Sequence, residues 1–307
     1  MSPRLHRRAF VLSLPWTLGL LLLGSVVHAT ESSLACPDWP TCYGTMVPVM
    51  EGGIFWEHLH RLVAGGLLLL WGAGTWFAFR EPGVSRAVRS GAVAGLGLLL
   101  VQSVFGGLTV LFKLPDAVST THLGLAFLFL SLATWLAVVS RSGGTGVLPE
   151  ARREVRFVAL TGAALVFVQS LLGAAVRHTD SGLACPDIPL CIGEWVPPLD
   201  QWPIALHWTH RLVAVLTAVF ILYGTARVWR AHARGAAGGM TLASVLVLTQ
   251  VGLGFLSVHT FLAVVPVSLH TVVAAGLLAT LVGTAATTVD RDAPAVATPP
   301  ERALTHA

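Results

Sequence analysis

Apolar residues run in long blocks along this chain, and polar residues collect between the blocks. Eight apolar runs stand out, at about 10–28, 57–79, 88–112, 118–140, 155–176, 205–229, 240–262 and 265–288. Each is long enough to cross a hydrocarbon core of about 30 Å as a helix rising about 1.5 Å per residue. The pattern predicts an all-α integral membrane protein with eight transmembrane helices.

The loops alternate in charge. One set holds Arg4, Arg7, Arg8, Arg80, Arg86, Arg89, Arg141, Arg152, Arg153, Arg156, Arg227, Arg230, Arg234, Arg291 and Arg302. The opposite set holds only Lys113 and Arg177, beside the acidic Glu31, Asp38, Glu51, Asp180, Asp187, Glu194 and Asp200. Basic loops stay in the cytoplasm. The expected protein is therefore multi-pass in the cell membrane, with both termini cytoplasmic and the acidic loops outside. Residues 1–30 also fit a signal peptide, with RRAF, an apolar stretch and a small-residue site at VHA.

Two stretches are near-copies. SSLACPDWPTCYGTMVP, running on to EHLHRLVAG, recurs as SGLACPDIPLCIGEWVP, running on to HWTHRLVAV. Cys36 and Cys42 align with Cys185 and Cys191, and His60 aligns with His210. Further on, Gln102, Gly106, Leu108, Val110 and His122 recur as Gln250, Gly254, Leu256, Val258 and His270. Self-similarity at a long period reports a duplicated unit. The segment before Cys185 lies mid-chain and is not a signal, so the first helix is expected to be retained like its copy. With an even number of spans each, the halves share one orientation about an axis along the membrane normal, unlike inverted repeats. The expected domains are four-helix bundles at 1–140 and 157–289. A Gly- and Arg-rich linker at 141–156 joins them, and a polar tail at 290–307 reads as disordered.

Composition agrees. Hydrophobic residues make up 54% of the chain and charged residues 11%, against about 25% charged in soluble domains. The isoelectric point near 9.2 comes from the cytoplasmic arginines and does not indicate nucleic-acid binding.

Histidine carries the chemistry. His60 and His210 lie about one turn inside the outer ends of helices 2 and 6, and His122 and His270 just inside those of helices 4 and 8. Each half thus carries two histidines at similar depth on helices running the same way. That arrangement suits a flat iron macrocycle with an imidazole on each face. The plainer reading is interhelical hydrogen bonding. Zinc lacks a third or fourth ligand at suitable spacing. His58 aligns with Trp208, so the repeat does not support it. His28, His178 and His259 sit at span ends, and His6, His232 and His306 lie in cytoplasmic segments; none is assigned a role. Arg61 and Arg211 follow the ligand candidates. They either fork onto haem propionates or snorkel to lipid headgroups.

The halves differ at one telling place. Glu57 stands three residues before His60, on the same helical face, and its counterpart is His207. A carboxylate near a membrane span is a functional candidate, and burial beside a haem-sized pocket would suit it to proton transfer. The alternative is an interfacial Glu57 exposed to water. All four cysteines lie in the outer loops as C-x5-C pairs, where oxidising conditions allow disulfides. They are either staples over the bundle mouth or redox-active thiols; the spacing is neither the C-x-x-C redox motif nor the C-x-x-C-H attachment motif.

LACPDWP with Cys42, EHLHRLVAG, QSVFGGLTV, THLG, SGLACPDIP with Cys191, HWTHRLVA and SLHT together resemble the haem A synthase family, over about residues 10–285. The resemblance implies an eight-helix enzyme that oxidises a ring methyl of haem O to a formyl group. It implies haem b between His210 and His270, the haem O substrate between His60 and His122, and a catalytic Glu57. It also implies supply by a haem O synthase, delivery to a haem-copper terminal oxidase, and a separate electron acceptor. One position departs: where the second half has Arg177, the first has His28, so an arginine clamp on a propionate is in doubt there. Three other classes compete: a di-haem b-type electron-transfer protein, a membrane thiol–disulfide oxidoreductase, and a transporter with parallel repeats.

Overall fold

The computed structural model describes residues 4–141, 147–231 and 233–289. Within them lie eight long α-helices: α1 (Leu5–Ala29), α2 (Gly52–Arg80), α3 (Arg86–Leu111), α4 (Asp116–Val139), α5 (Pro149–His178), α6 (Trp202–Arg230), α7 (Arg234–His259) and α8 (Val264–Ala286). All eight are long and apolar enough to cross a membrane. No strand occurs among the described residues. The expected tail at 290–307 lies outside the described residues, as does 142–146 of the expected linker.

Every predicted span is a helix; each helix starts before its apolar block, whereas α3, α4, α7 and α8 stop short of its end. The largest differences are the starts of α5 and α7, Pro149 against 155 and Arg234 against 240, and α5 carries its proline in the first turn. Residues 149–156 are therefore helical. Proline is preorganised for that position and its missing N–H costs nothing there. Hydropathy reports the depth of the bilayer and not where main-chain hydrogen bonding ends. α7 stops at His259 because Phe261 and Leu262 turn left-handed, with φ of 52° and 63°.

In each half the packing neighbours form a ring. α1 touches α2, α2 touches α3, α3 touches α4, and α4 returns to α1; α5 through α8 repeat the pattern. The halves meet through α1 on α8, α4 on α5, and α4 on α8. One apolar core fills the first ring around Phe10, Trp71 and Phe129. The other fills the second ring and crosses the seam to take in Leu21, Phe127 and Leu130 of the first half.

Lipid tails are as apolar as these side chains, so close packing rather than exclusion of water drives helix association here. Trp71 shows how close. Its ring lies 4.8 Å from that of Phe10, tilted, and 4.9 Å from that of Phe129, edge to face, and its Nε1 donates to the Ala92 carbonyl at 2.9 Å. Gly95 on α3 makes the room: a Cβ there would lie 2.4 Å from the Trp71 ring. The repeat places Ile221, fully buried, where Trp71 stands.

At the end away from the cysteines, Glu81 after α2 binds the Leu5 amide at 2.6 Å and His6 Nδ1 at 2.5 Å. That contact ties the start of α1 to the α2–α3 turn. Gly95→Ala should lower the melting temperature of the detergent-purified protein, because overpacking costs about 1–3 kcal/mol. Gly97→Ala, whose Cβ meets nothing within 4 Å, should not. Equal melting temperatures would show that the Trp71 contact does not limit packing.

Candidate functional site

The four cysteines form two disulfides, Cys36–Cys42 and Cys185–Cys191. Each closes a loop that caps one bundle. The Asp38 carboxylate nucleates the first loop, accepting from the Thr41 hydroxyl and from the Gly44 and Tyr43 amides. These bonds hold its pKa below the usual carboxylate range. Asp187 accepts from Gly193 in the second loop. The same backbone positions turn left-handed in both loops: Tyr43 and Gly44, then Ile192 and Gly193.

The loops are held down by the arginines that follow the first histidine of each pair. Arg61 donates to the carbonyls of Asp38 at 2.7 Å, Thr41 at 2.5 Å and Cys36 at 3.4 Å, and to Glu57 Oε1 at 2.5 Å. Arg211 donates to the carbonyls of Asp187 at 2.7 Å, Leu190 at 2.9 Å and Cys185 at 2.5 Å, and to His207 Nε2 at 3.2 Å. The guanidinium bonds thus go to loop main chain, a third role beside the two the sequence suggested. The i,i+4 spacing of Glu57 and Arg61 was the available signal.

Glu57 is buried, at 4% exposure, and not open to water. Its Oε2 accepts from the Cys36 amide at 2.8 Å. His207 stands in the same place in the other half, where its Nδ1 lies 3.3 Å from the Cys185 amide nitrogen. The two residues fill one architectural node with different chemistry. His58 also has a job that sequence reasoning missed. Its Nε2 binds the Met46 carbonyl at 3.0 Å, as Trp208 Nε1 binds the Trp195 carbonyl at 2.9 Å. His58 also lies against the Cys36–Cys42 pair, but those sulfurs are bonded to each other.

Below the loops sit the four paired histidines. His60 on α2 and His122 on α4 stand on diagonal helices of the first ring, within electrostatic range of each other. His210 on α6 and His270 on α8 do the same in the second. Each ring backs onto a glycine of a neighbouring helix. A Cβ on Gly24 would come 3.0 Å from His60, on Gly106 3.1 Å from His122, on Gly173 2.9 Å from His210, and on Gly254 3.3 Å from His270.

Nδ1 of His60, of His122 and of His270 is buried without a hydrogen-bond partner. Buried polar atoms are nearly always paired, so these three orphans make the histidine pairs a candidate ligand-binding site. Two facing imidazoles and no third donor fit the axial ligation of haem iron. Around these pairs, Gln102 Nε2 lies 3.3 Å from His122 Nε2, and Gln169 Nε2 lies 3.0 Å from His210 Nδ1.

The seam between the halves is polar at this depth. The His28 and His178 rings lie 5.1 Å apart. His178 Nδ1 is 3.0 Å from the Thr120 hydroxyl, and Ser25 is 3.3 Å from Thr271. Arg177 donates to the His28 carbonyl at 3.4 Å, so the arginine that the first half lacks reaches it from the second.

Comparison with known proteins agrees with this arrangement. The model of the cytochrome oxidase assembly protein family matches residues 7–54 and 49–282. A haem A synthase of Halalkalibacterium halodurans is 27% identical over 294 residues, covering 90% of this chain and 96% of its own. That of Shouchella clausii is 29% identical over 293 residues, covering 90% and 95%. That of Symbiobacterium thermophilum is 30% identical over 223 residues, covering 68% and 69%.

Arg211→Ala should strand the loop carbonyls and His207. A buried acceptor left without its donor costs about 1–3 kcal/mol. The expected result is faster reduction of Cys185–Cys191 by dithiothreitol, followed by mass-tagging of free thiols. An unchanged reduction rate would remove Arg211 as the loop clamp.

Proposed function

The chain belongs to the cytochrome oxidase assembly protein family, and on that premise we propose that it is a haem A synthase, oxidising the ring methyl of haem O to a formyl group. The observation that carries this reading is the pair of matched imidazole sites, each ring seated on a glycine and three of the four with an unpartnered Nδ1. Names of the relatives support it over nearly the whole chain.

Haem O is the substrate between His60 and His122, and haem b is the resident cofactor between His210 and His270. When bound, haem b supplies one-electron redox chemistry. Oxidation of a methyl to a formyl group with water as oxygen source releases electrons and protons in equal number. Glu57 is the one carboxylate at the first site, three residues from His60. It takes protons there as a general base, with its orientation set by Arg61 and the Cys36 amide. Arg61 and Arg211 serve their sites by holding the disulfide loops over them, which excludes water from the pockets. The disulfide end faces the cell exterior, where Cys36–Cys42 and Cys185–Cys191 stay oxidised, and both termini are cytoplasmic in the plasma membrane. A haem O synthase supplies the substrate, a haem-copper oxidase receives the product, and a separate acceptor removes the electrons.

A second reading, a di-haem electron-transfer protein, is favoured by one fact. His207 occupies the place of Glu57 in the other half, between the Cys185 amide and Arg211, so the node has an architectural use, although a neutral imidazole accepts at one nitrogen where the carboxylate accepts at two oxygens. Extracted haems separated by chromatography decide between the two. Wild type should yield haem A. Glu57→Gln, which keeps an acceptor for Arg61, should bind haem yet accumulate haem O or a hydroxylated intermediate. Haem b alone in the wild type would support the electron-transfer reading. Normal haem A output from Glu57→Gln would remove Glu57 from the mechanism.

A further inference from the structure

The two disulfide loops are built alike, but the ring that supports each one differs. His58 supports the Cys36–Cys42 loop, and Trp208 stands at its place beneath the other. The difference is chemical. Trp208 Nε1 donates to the Trp195 carbonyl, and an indole has no other polar atom. An imidazole has two nitrogens. His58 Nε2 lies 3.0 Å from the Met46 carbonyl, and a carbonyl only accepts, so Nε2 carries the proton. Nδ1 is then left with a bare lone pair. It is buried without a hydrogen-bond partner, on a residue only 2% exposed.

The sulfurs are the neighbours of this ring. A ring nitrogen of His58 and the Sγ atoms of Cys36 and Cys42 lie within 4.8 Å of one another, and both cysteines are fully buried. Metal-ligating histidines typically donate their other N–H to a carbonyl or carboxylate, which fixes the tautomer and the ring orientation. His58 already has that bond. With the disulfide closed, the sulfurs are bonded to each other. With it open, two thiolates and one imidazole converge.

We propose that the reduced Cys36–Cys42 loop holds a zinc ion, ligated by Cys36, Cys42 and Nδ1 of His58, with water in the fourth position. Two cysteines, one histidine and an open position form an established zinc donor set. Charge selects the metal. Zn²⁺ with two thiolates is neutral, whereas Cu⁺ would leave a net negative charge buried under the loop, which is costly. The reductant is a dithiol. Its two sulfurs join as the Sγ–Sγ bond breaks, and two electrons and two protons pass to Cys36 and Cys42. Zinc then displaces those two protons. The first loop thus has two closed states, disulfide and metal. The Cys185–Cys191 loop has one, because Trp208 offers no lone pair. This site is separate from the histidine pairs below it and does not rest on the function proposed above.

The test uses the full-length protein as purified in detergent, reduced with dithiothreitol, desalted under argon and mixed with zinc chloride. After a second desalting, elemental analysis should find one more zinc per chain than in the protein left oxidised. X-ray absorption at the zinc edge should show two sulfur neighbours and one imidazole nitrogen. His58→Trp, which copies the other half, should abolish the extra zinc. Trp208→His, which gives the second loop the same ligand, should add another. Extra zinc retained in full by reduced His58→Trp overturns the inference. So does its absence from wild type in which mass-tagging shows Cys36 and Cys42 reduced. If His58→Trp does not fold, Trp208→His decides, and a count that does not rise overturns the inference.

Discussion

Two half-buried guanidinium groups hold the business end of this molecule together. Loop carbonyls over a bundle mouth need partners, and the disulfide loops pair part of their own main chain, Cys42 with Thr45 and Cys191 with Glu194. Arg61 and Arg211 meet that demand from below, each binding three loop carbonyls. Because each arginine immediately follows a histidine, the grip that closes the loop also fixes the helix turn that presents the imidazole. Glu57 and His207 are caught in the same grip. Cap, node and imidazole are thus one mechanical unit in each half.

Much of this was legible from residues alone. The eight spans follow from apolar run length, because a bilayer imposes that length on any helix crossing it. The four histidines follow from the repeat, which separates Cys36, Cys42, His60 and His122 from neighbours without a copy. Helix ends were less legible: the start of α5 at Pro149 is set by main-chain bonding in a polar stretch that hydropathy cannot see. The arginines were harder still. Propionates and headgroups are the partners that a sequence suggests, whereas loop carbonyls become partners only once the chain has folded back.

Residues that differ between the halves escaped for another reason. A repeat amplifies what is shared and mutes what is not. His58 was set aside because its copy is Trp208, yet both donate a ring nitrogen to the same loop position. A hydrogen bond can be preserved while the residue that makes it changes. The seam adds a second case, since Arg177 leaves its own half to bind His28 in the other.

The set of helix pairs across that seam has its own implication. α1 on α8 and α5 on α4 are one contact written twice, and α4 on α8 lies on the axis relating them. This is the pattern of an isologous dimer, in which one patch meets itself. Two separate four-helix chains would associate in the same way. Such a homodimer would have to carry an acid at both nodes or an imidazole at both. Covalent fusion lifts that restriction, and Glu57 opposite His207 is a difference that no homodimer could keep.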